Sequence, residues 1–196
     1  MRYSILPLML TGLLAATPVL ADWNLDPARS AVTYVTIKAK DVAENNRFQE
    51  MRGHIDAEGL AVVTLMLDSV ETLVPIRNER MREFLFETSN YKMAEIRAKV
   101  DPAVIGALEV GEVVRIAAEA NLTLHGQTQP MPLSMMAAKL DAGTLMVATT
   151  EPLLVDASKF GLSEGVEKLR EIAGLASISE AVPVVFVVTF VETSGQ

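Results

Sequence analysis

The chain contains no cysteine, which excludes a disulfide framework, a thiolate nucleophile and a thiolate metal cage, and leaves the apolar core to hold the fold together. It has only two histidines, His54 and His125, and no H-x-x-x-H spacing, so a closed zinc site would need carboxylate help. A G-x-S-x-G elbow and a phosphate-cradling glycine loop are both missing, and nucleophilic catalysis finds no support; the expectation is a protein that is not an enzyme and needs no cofactor. Basic residues are outnumbered, 17 against 25 acidic, which argues against nucleic acid or an anionic lipid surface as partner. There is no internal repeat, no low-complexity tract and no apolar run long enough for a membrane helix.

What is present begins with an export signal. Arg2 supplies the positive end, Ile5–Leu14 the short apolar stretch and Val19-Leu20-Ala21 the cleavage site, the anatomy of a secretory signal peptide over residues 1–21. Its removal leaves 175 residues, 22–196, with a formal charge of −9, enough for one domain with a sizeable core. The same lack of cysteine removes an acylated N-terminal cysteine as an anchor, so free solution is the expectation for that domain.

The clearest periodicity lies in Val113–Leu124, where Val114, Ile116, Ala118, Ala120, Leu122 and Leu124 alternate with a more polar set. This period of two marks a half-buried strand. Gly126 frees the backbone for a reversal, and Met131–Asp141 returns as a second strand. Further strands are expected at Ala31–Ile37, Gly53–Asp56, Ala61–Leu67, Tyr91–Val100, Leu145–Thr150 and Val182–Val191, the last apolar on both faces and so expected to be covered on both. Asp41–Arg52 is polar and reads as a loop or frayed strand pair, Ala103–Glu112 as a connection. Helical period appears twice. Val74–Thr88 places Met81, Phe84 and Leu85 on one face with Arg77 at its edge, and Ser163–Ala173, with Ser163 as N-cap, turns Leu162, Val166, Leu169 and Ala173 to one side. About eight strands with next-neighbour connections and two short helices describe a mainly β chain, an antiparallel sheet closed into an eight-stranded barrel. Such a barrel is filled by its own side chains or holds one small ligand.

Several segments, in order, resemble those of the YceI-like family of polyisoprenoid-binding, lipocalin-like periplasmic proteins. Trp23–Ser30 is similar to its W-x-L-D-P-x-H-S opening, Ser69–Thr72 to S-I-D-T, and Arg77-Asn78 to the R-D that follows. Phe84-Leu85-Phe86 stands for D-F-F, Tyr91–Ile96 for Y-P-x-I-T-F, Leu122–Pro130 for L-T-I-H-G-V-T-K-P, and Phe160-Gly161-Leu162 for D-F-G-L, with departures at Arg29, Met93 and Lys159. The resemblance implies a lipocalin-like barrel in a bacterial periplasm whose lumen takes an isoprenoid chain, as in a polyprenyl lipid or quinone tail. It leaves room for a transient contact with a membrane or membrane protein and for a homodimer.

A dry tube is what such a chain needs, because each buried CH₂ contributes about 0.8 kcal/mol. The inner set expected to line it is Val32, Tyr34, Leu65, Leu67, Ile116, Ala118, Ala120, Leu122, Leu133, Met135, Phe186 and Val188, with Ala118 and Ala120 leaving space beside the wall. Arg77, paired with a carboxylate such as Glu71, and His125 are the polar groups within reach of a ligand; with no partner acid at motif spacing, the favoured reading of His125 is a turn histidine pinned to backbone. Two alternatives stay open: a solid barrel in a stress-related interaction protein, and a redox accessory in which Met131, Met135, Met136 and histidine hold Cu(I).

Overall fold

The computed structural model describes residues 22–193, so the signal sequence expected at 1–21 lies outside the described residues. Twelve strands form one antiparallel sheet: β1 (Trp23–Leu25), β2 (Ala31–Lys38), β3 (Val42–Phe48), β4 (Met51–Ile55), β5 (Leu60–Met66), β6 (Val70–Glu71), β7 (Met93–Lys99), β8 (Val113–Leu124), β9 (Gln127–Asp141), β10 (Thr144–Thr149), β11 (Leu153–Asp156) and β12 (Ala181–Glu192). Neighbours run β1, β4, β5, β7, β8, β9, β10, β12, and β12 pairs back onto β1, which closes an eight-stranded ring. The remaining strands prolong ring strands past short interruptions. β2 continues β1 along one edge of β12 beyond a helical turn at Pro27–Arg29, and β11 continues β10 along the other edge. β3 likewise prolongs β4, and β6 prolongs β5.

The β8–β9 hairpin closes on His125-Gly126, with Leu124 paired to Gln127 and both loop residues at positive φ, +50° and +75°. That is the two-residue turn whose twist matches flanking strands, and histidine is among the few residues that tolerate its first position. β9 begins earlier than its apolar pattern suggests, at Gln127, and carries Pro130 and Pro132 within it.

Three helices dress the barrel: α1 (Pro75–Arg80), α2 (Pro102–Ala107), which the sequence pattern left as a connection, and α3 (Ser163–Ile172). α1 runs on into a π turn at Met81–Leu85, closed by the Phe86 amide donating to the Met81 carbonyl at 2.8 Å. The wider turn brings Met81 and Phe86, five apart, to the buried side at 6% exposure each, where a 3.6 period would have placed Phe84. α3 starts on Leu162, whose side chain makes no cap; Ser163 is its first helical residue. It packs on the π turn through Gly165, where a Cβ would stand 2.4 Å from the Phe84 carbonyl oxygen.

Two further expectations are corrected. Asp41–Arg52 is neither loop nor frayed: β3 pairs with β2 over six register pairs, from Thr33 opposite Arg47 to Lys38 opposite Val42. And β12 is not covered on its outer face, where Val185, Val187 and Val191 are 40%, 43% and 37% exposed. The outward Thr189 is the exception, buried under the turn at Pro27–Arg29, where its hydroxyl donates to the Arg29 carbonyl.

Candidate functional site

Strands alternate their side chains between wall faces, and here the inward ones do not fill the space they face. Val63 and Leu65 on β5, Ile96 on β7, Ile116 and Leu122 on β8, and Val184 and Phe186 on β12 all remain only partly buried. On the outward face of β5, by contrast, Val62 is 5% exposed between its register neighbours His54 and Arg97. A close-packed interior would reverse that order, because interdigitated side chains lose nearly all accessible surface. The inward groups instead border a cavity of about 350 Å³. An apolar cavity of about 150 Å³ already takes benzene, so this one has room for a chain.

The cavity has two unlike ends. At one, Ile55, Val100, Leu145 and Phe190 form an apolar floor with Ile105 of α2 beneath. Register rows fix that floor: Leu25, Phe190 and Leu145 stand side by side on β1, β12 and β10. At the other, α1 with its π turn and α3 make a roof from Met81, Leu85, Phe86, Val166, Leu169 and Ala173. Beside that roof the wall turns polar where β2 meets β3, with Thr36, Lys38, Glu44 and Asn46, joined by Thr72, Arg77 and Arg80.

Charge at this mouth is largely internally paired. Lys38 Nζ lies 2.8 Å from Glu44 Oε2, and Arg77 Nη1 bonds the same oxygen. Arg77 also donates through Nε to Thr72 Oγ1 and through Nη2 to the Thr72 carbonyl, both at 3.0 Å. The Lys38 hydrogen bond, then Arg77, hold Glu44 below the usual glutamate range against the partial burial that raises it. Deeper in, Tyr34 pairs in register with Asn46; its phenol is pushed above the usual tyrosine range by burial and stays protonated, 3.9 Å from the Met81 sulfur. Asn46 is 3% exposed: its Nδ2 donates to Thr36 Oγ1 at 2.8 Å and to the Glu44 carbonyl, and its Oδ1 is without a partner among the described residues.

Nine of the twelve expected lining residues border this cavity: Val32, Tyr34, Leu65, Ile116, Leu122, Leu133, Met135, Phe186 and Val188. Three do not. Leu67 falls past the end of β5 in a helical turn, wholly buried in a second cluster with Phe160 and Met81 that seats the roof. Ala118 and Ala120 are on the inward face but only 8% and 2% exposed, their methyls enclosed among longer groups such as their register partners Leu133 and Met131. The space beside them is taken. Arg77 does reach the mouth, but its carboxylate partner is Glu44; Glu71 instead accepts from Asn78 Nδ2 at 3.1 Å.

His125 lies outside the lumen, in a separate polar hollow between the β8–β9 turn and α3. Its Nδ1 is 3.3 Å from the Phe160 carbonyl, its ring packs 4.1 Å from that of Tyr91, and Nε2 is 3.6 Å from Glu87 Oε1. It fastens the hairpin to the loop before α3. The methionines are also divided, with Met131 and Met135 facing inward and Met136 42% exposed on the outer face. Met136, on the opposite face of the wall, cannot join the other two at one site. Among the described residues no three His, Cys, Asp or Glu side chains converge on a point that could hold a metal.

Glu44 and Asn46 escaped the sequence reading. A polar segment shows no apolar alternation, and the tight turn before it places Ala39 and Lys40, rather than glycine or asparagine, at positive φ. The available signal was Phe48 two residues beyond Asn46, in step with Glu44.

A profile of the YceI-like domain matches residues 23–190. Among solved structures, a polyisoprenoid binding domain from Saccharophagus degradans, implicated in plant cell wall breakdown, is 36% identical with a TM-score of 0.86, over 87% of this chain and 98% of that one. Burkholderia cenocepacia BcnA shares the fold at 18% identity and TM-score 0.64, over 84% of this chain and 98% of its own. A Campylobacter jejuni YCEI protein does so at 15% identity and TM-score 0.50, over 76% and 85%. No protein of curated function matches the sequence.

Proposed function

This chain belongs to the YceI-like domain family, and from that premise we propose that it is a binding protein which encloses the apolar tail of an isoprenoid in its barrel lumen. The observation that carries the reading is the hollow interior, a cavity of about 350 Å³ whose inward wall is apolar from the floor at Phe190 and Leu145 up to Tyr34. Apolar surface that stays accessible in the free protein is what a hydrocarbon tail would cover, at about 25 cal/mol per Å² removed from water. The Saccharophagus relative, described as a polyisoprenoid binding domain, supports the choice of ligand class. Polarity rising from floor to mouth favours entry tail first.

Binding rather than catalysis is the role, and the ligand is cargo rather than cofactor. Residues 1–21 would direct export, so that the mature protein begins at Asp22 and carries its ligand through a periplasm between membrane partners. Intact mass of the exported protein checks the cleavage site.

Native mass spectrometry of purified protein should find a co-purifying prenyl lipid, and stripped protein should take up farnesol. Ala61, only partly buried on the inward face of β5, borders the cavity, and Ala61→Phe puts a ring into it. It should abolish uptake while the circular dichroism spectrum keeps its β signature. Lipid-free preparations that also refuse farnesol would remove the proposal.

A further inference from the structure

The wall of the cavity contains one buried acceptor with nothing to accept. Asn46 sits on the inward face of β3 opposite Tyr34, one step deeper than Glu44, and is 3% exposed. Because the Glu44 carbonyl can only accept, the amide NH₂ must be the group turned toward it and toward Thr36 Oγ1, which leaves Oδ1 as the free atom. An unpaired buried oxygen is costly, and Asn46 Oδ1 is one of only two such side-chain atoms among the described residues. The other, His125 Nε2, is in the separate hollow outside the barrel.

We propose that Asn46 Oδ1 is a head-group acceptor and that the protein selects chains ending in a hydroxyl. The inference rests on the lumen reading above and deepens it from an apolar tail to a tail with a neutral, hydrogen-bond-donating head, such as a prenyl alcohol, a prenylated phenol or a quinol. A tail seated on the floor brings its head to the polar belt at the mouth. There the hydroxyl proton goes to Asn46, and the hydroxyl oxygen, an acceptor in its own right, is left for Arg80, the other cation on this part of the wall. An anionic diphosphate offers only acceptors, so it would set its oxygens against Asn46 Oδ1. It would also find Lys38 and Arg77 already engaged by Glu44. A quinone or an ether, with no donor, would leave the amide oxygen unpaired.

The test compares farnesol, farnesyl methyl ether and farnesyl diphosphate by isothermal titration calorimetry on the purified protein. Farnesol should bind about tenfold more tightly than its methyl ether, the scale of one hydrogen bond to an otherwise unsatisfied buried group, and more tightly than the diphosphate. Asn46→Leu, close in shape but without an acceptor, should bring the alcohol-to-ether ratio to about one while still binding the ether. Equal affinities for alcohol and ether in the native protein overturn the head-group assignment and leave the lumen reading standing, since both chains would have bound. That comparison stands even if the variant fails to fold. A ratio unchanged in a folded Asn46→Leu, or a diphosphate that binds tightest, also overturns it. Failure of all three ligands overturns the lumen reading and this inference together.

Discussion

Lys38 and Arg77 both reach the Glu44 carboxylate, so one acidic side chain holds two cations at the mouth of the lumen. Its folded-state value is lowered, so its stabilising effect is complete above the ordinary glutamate range and lost as pH falls through the lowered value. Glu44→Gln should therefore be less stable than the native protein at neutral pH, and the gap should close on acidification; urea midpoints measured for both from pH 7 to 3 check this. Freed of their partner, Lys38 and Arg77 should also raise the affinity of the variant for farnesyl diphosphate relative to farnesol. Leu67 makes the opposite kind of residue: fully buried, absent from the cavity wall, packed under the roof. Leu67→Ala is expected to cost about 2–5 kcal/mol of unfolding free energy with little change in farnesol affinity at a temperature where it stays folded. Ala118→Phe and Ala120→Phe belong with it, as overpacked core rather than plugs, at about 1–3 kcal/mol.

Among the elements, β12 takes the most partners. It pairs with β1 and β2 on one edge and with β10 and β11 on the other, so the ring closes only through it. Phe190 stands in the closing row between Leu25 and Leu145 at 2% exposure. Phe190→Ala should cost about 3–5 kcal/mol and open the floor, which a denaturation midpoint and faster release of bound ligand would both report. The roof hangs on a closer contact. At Gly165, any Cβ meets the Phe84 carbonyl, so Gly165→Ala must lift α3 off the π turn and should lower the melting temperature despite alanine's better helix propensity. Best read in advance were β8, long and alternating enough for pattern to speak, the span but not the burial of β12, and the inward face of α3, all four of whose expected residues reach the cavity. β3 was illegible for the same physical reason that it matters. It lines the polar end of the lumen, and there both faces of a strand are hydrophilic.

For the whole molecule, a closed wall with an apolar floor and a polar mouth gives a bound chain one direction. Trp23, the sole tryptophan, is paired to Ile55 at the floor end. A prenyl chain brominated at its tail tip should quench Trp23 fluorescence, and one brominated at the head should leave it nearly unchanged; the reverse would mean that the chain enters head first.

By itself the amino-acid sequence determined the class of fold, because alternating runs of the kind in Val113–Leu124, joined by short reversals, satisfy their backbone by antiparallel pairing and their apolar face by turning it to a common interior, and closure of the wall removes the unpaired edges. It also determined most of the inward set, since a period of two assigns every other side chain to one face once a single face is known. What it could not decide was whether that interior is full, because hollowness depends on how far opposite side chains reach across the axis. It is the tertiary structure that leaves Phe186 and Leu122 part-exposed to a common space. The same structure closes over Ala118 and Ala120, and brings Lys38, Glu44, Arg77 and Asn46, from a hairpin and a helix about thirty residues apart, around one entrance. Those are long-range packing facts, set by the curvature of the wall and not by any local run of residues.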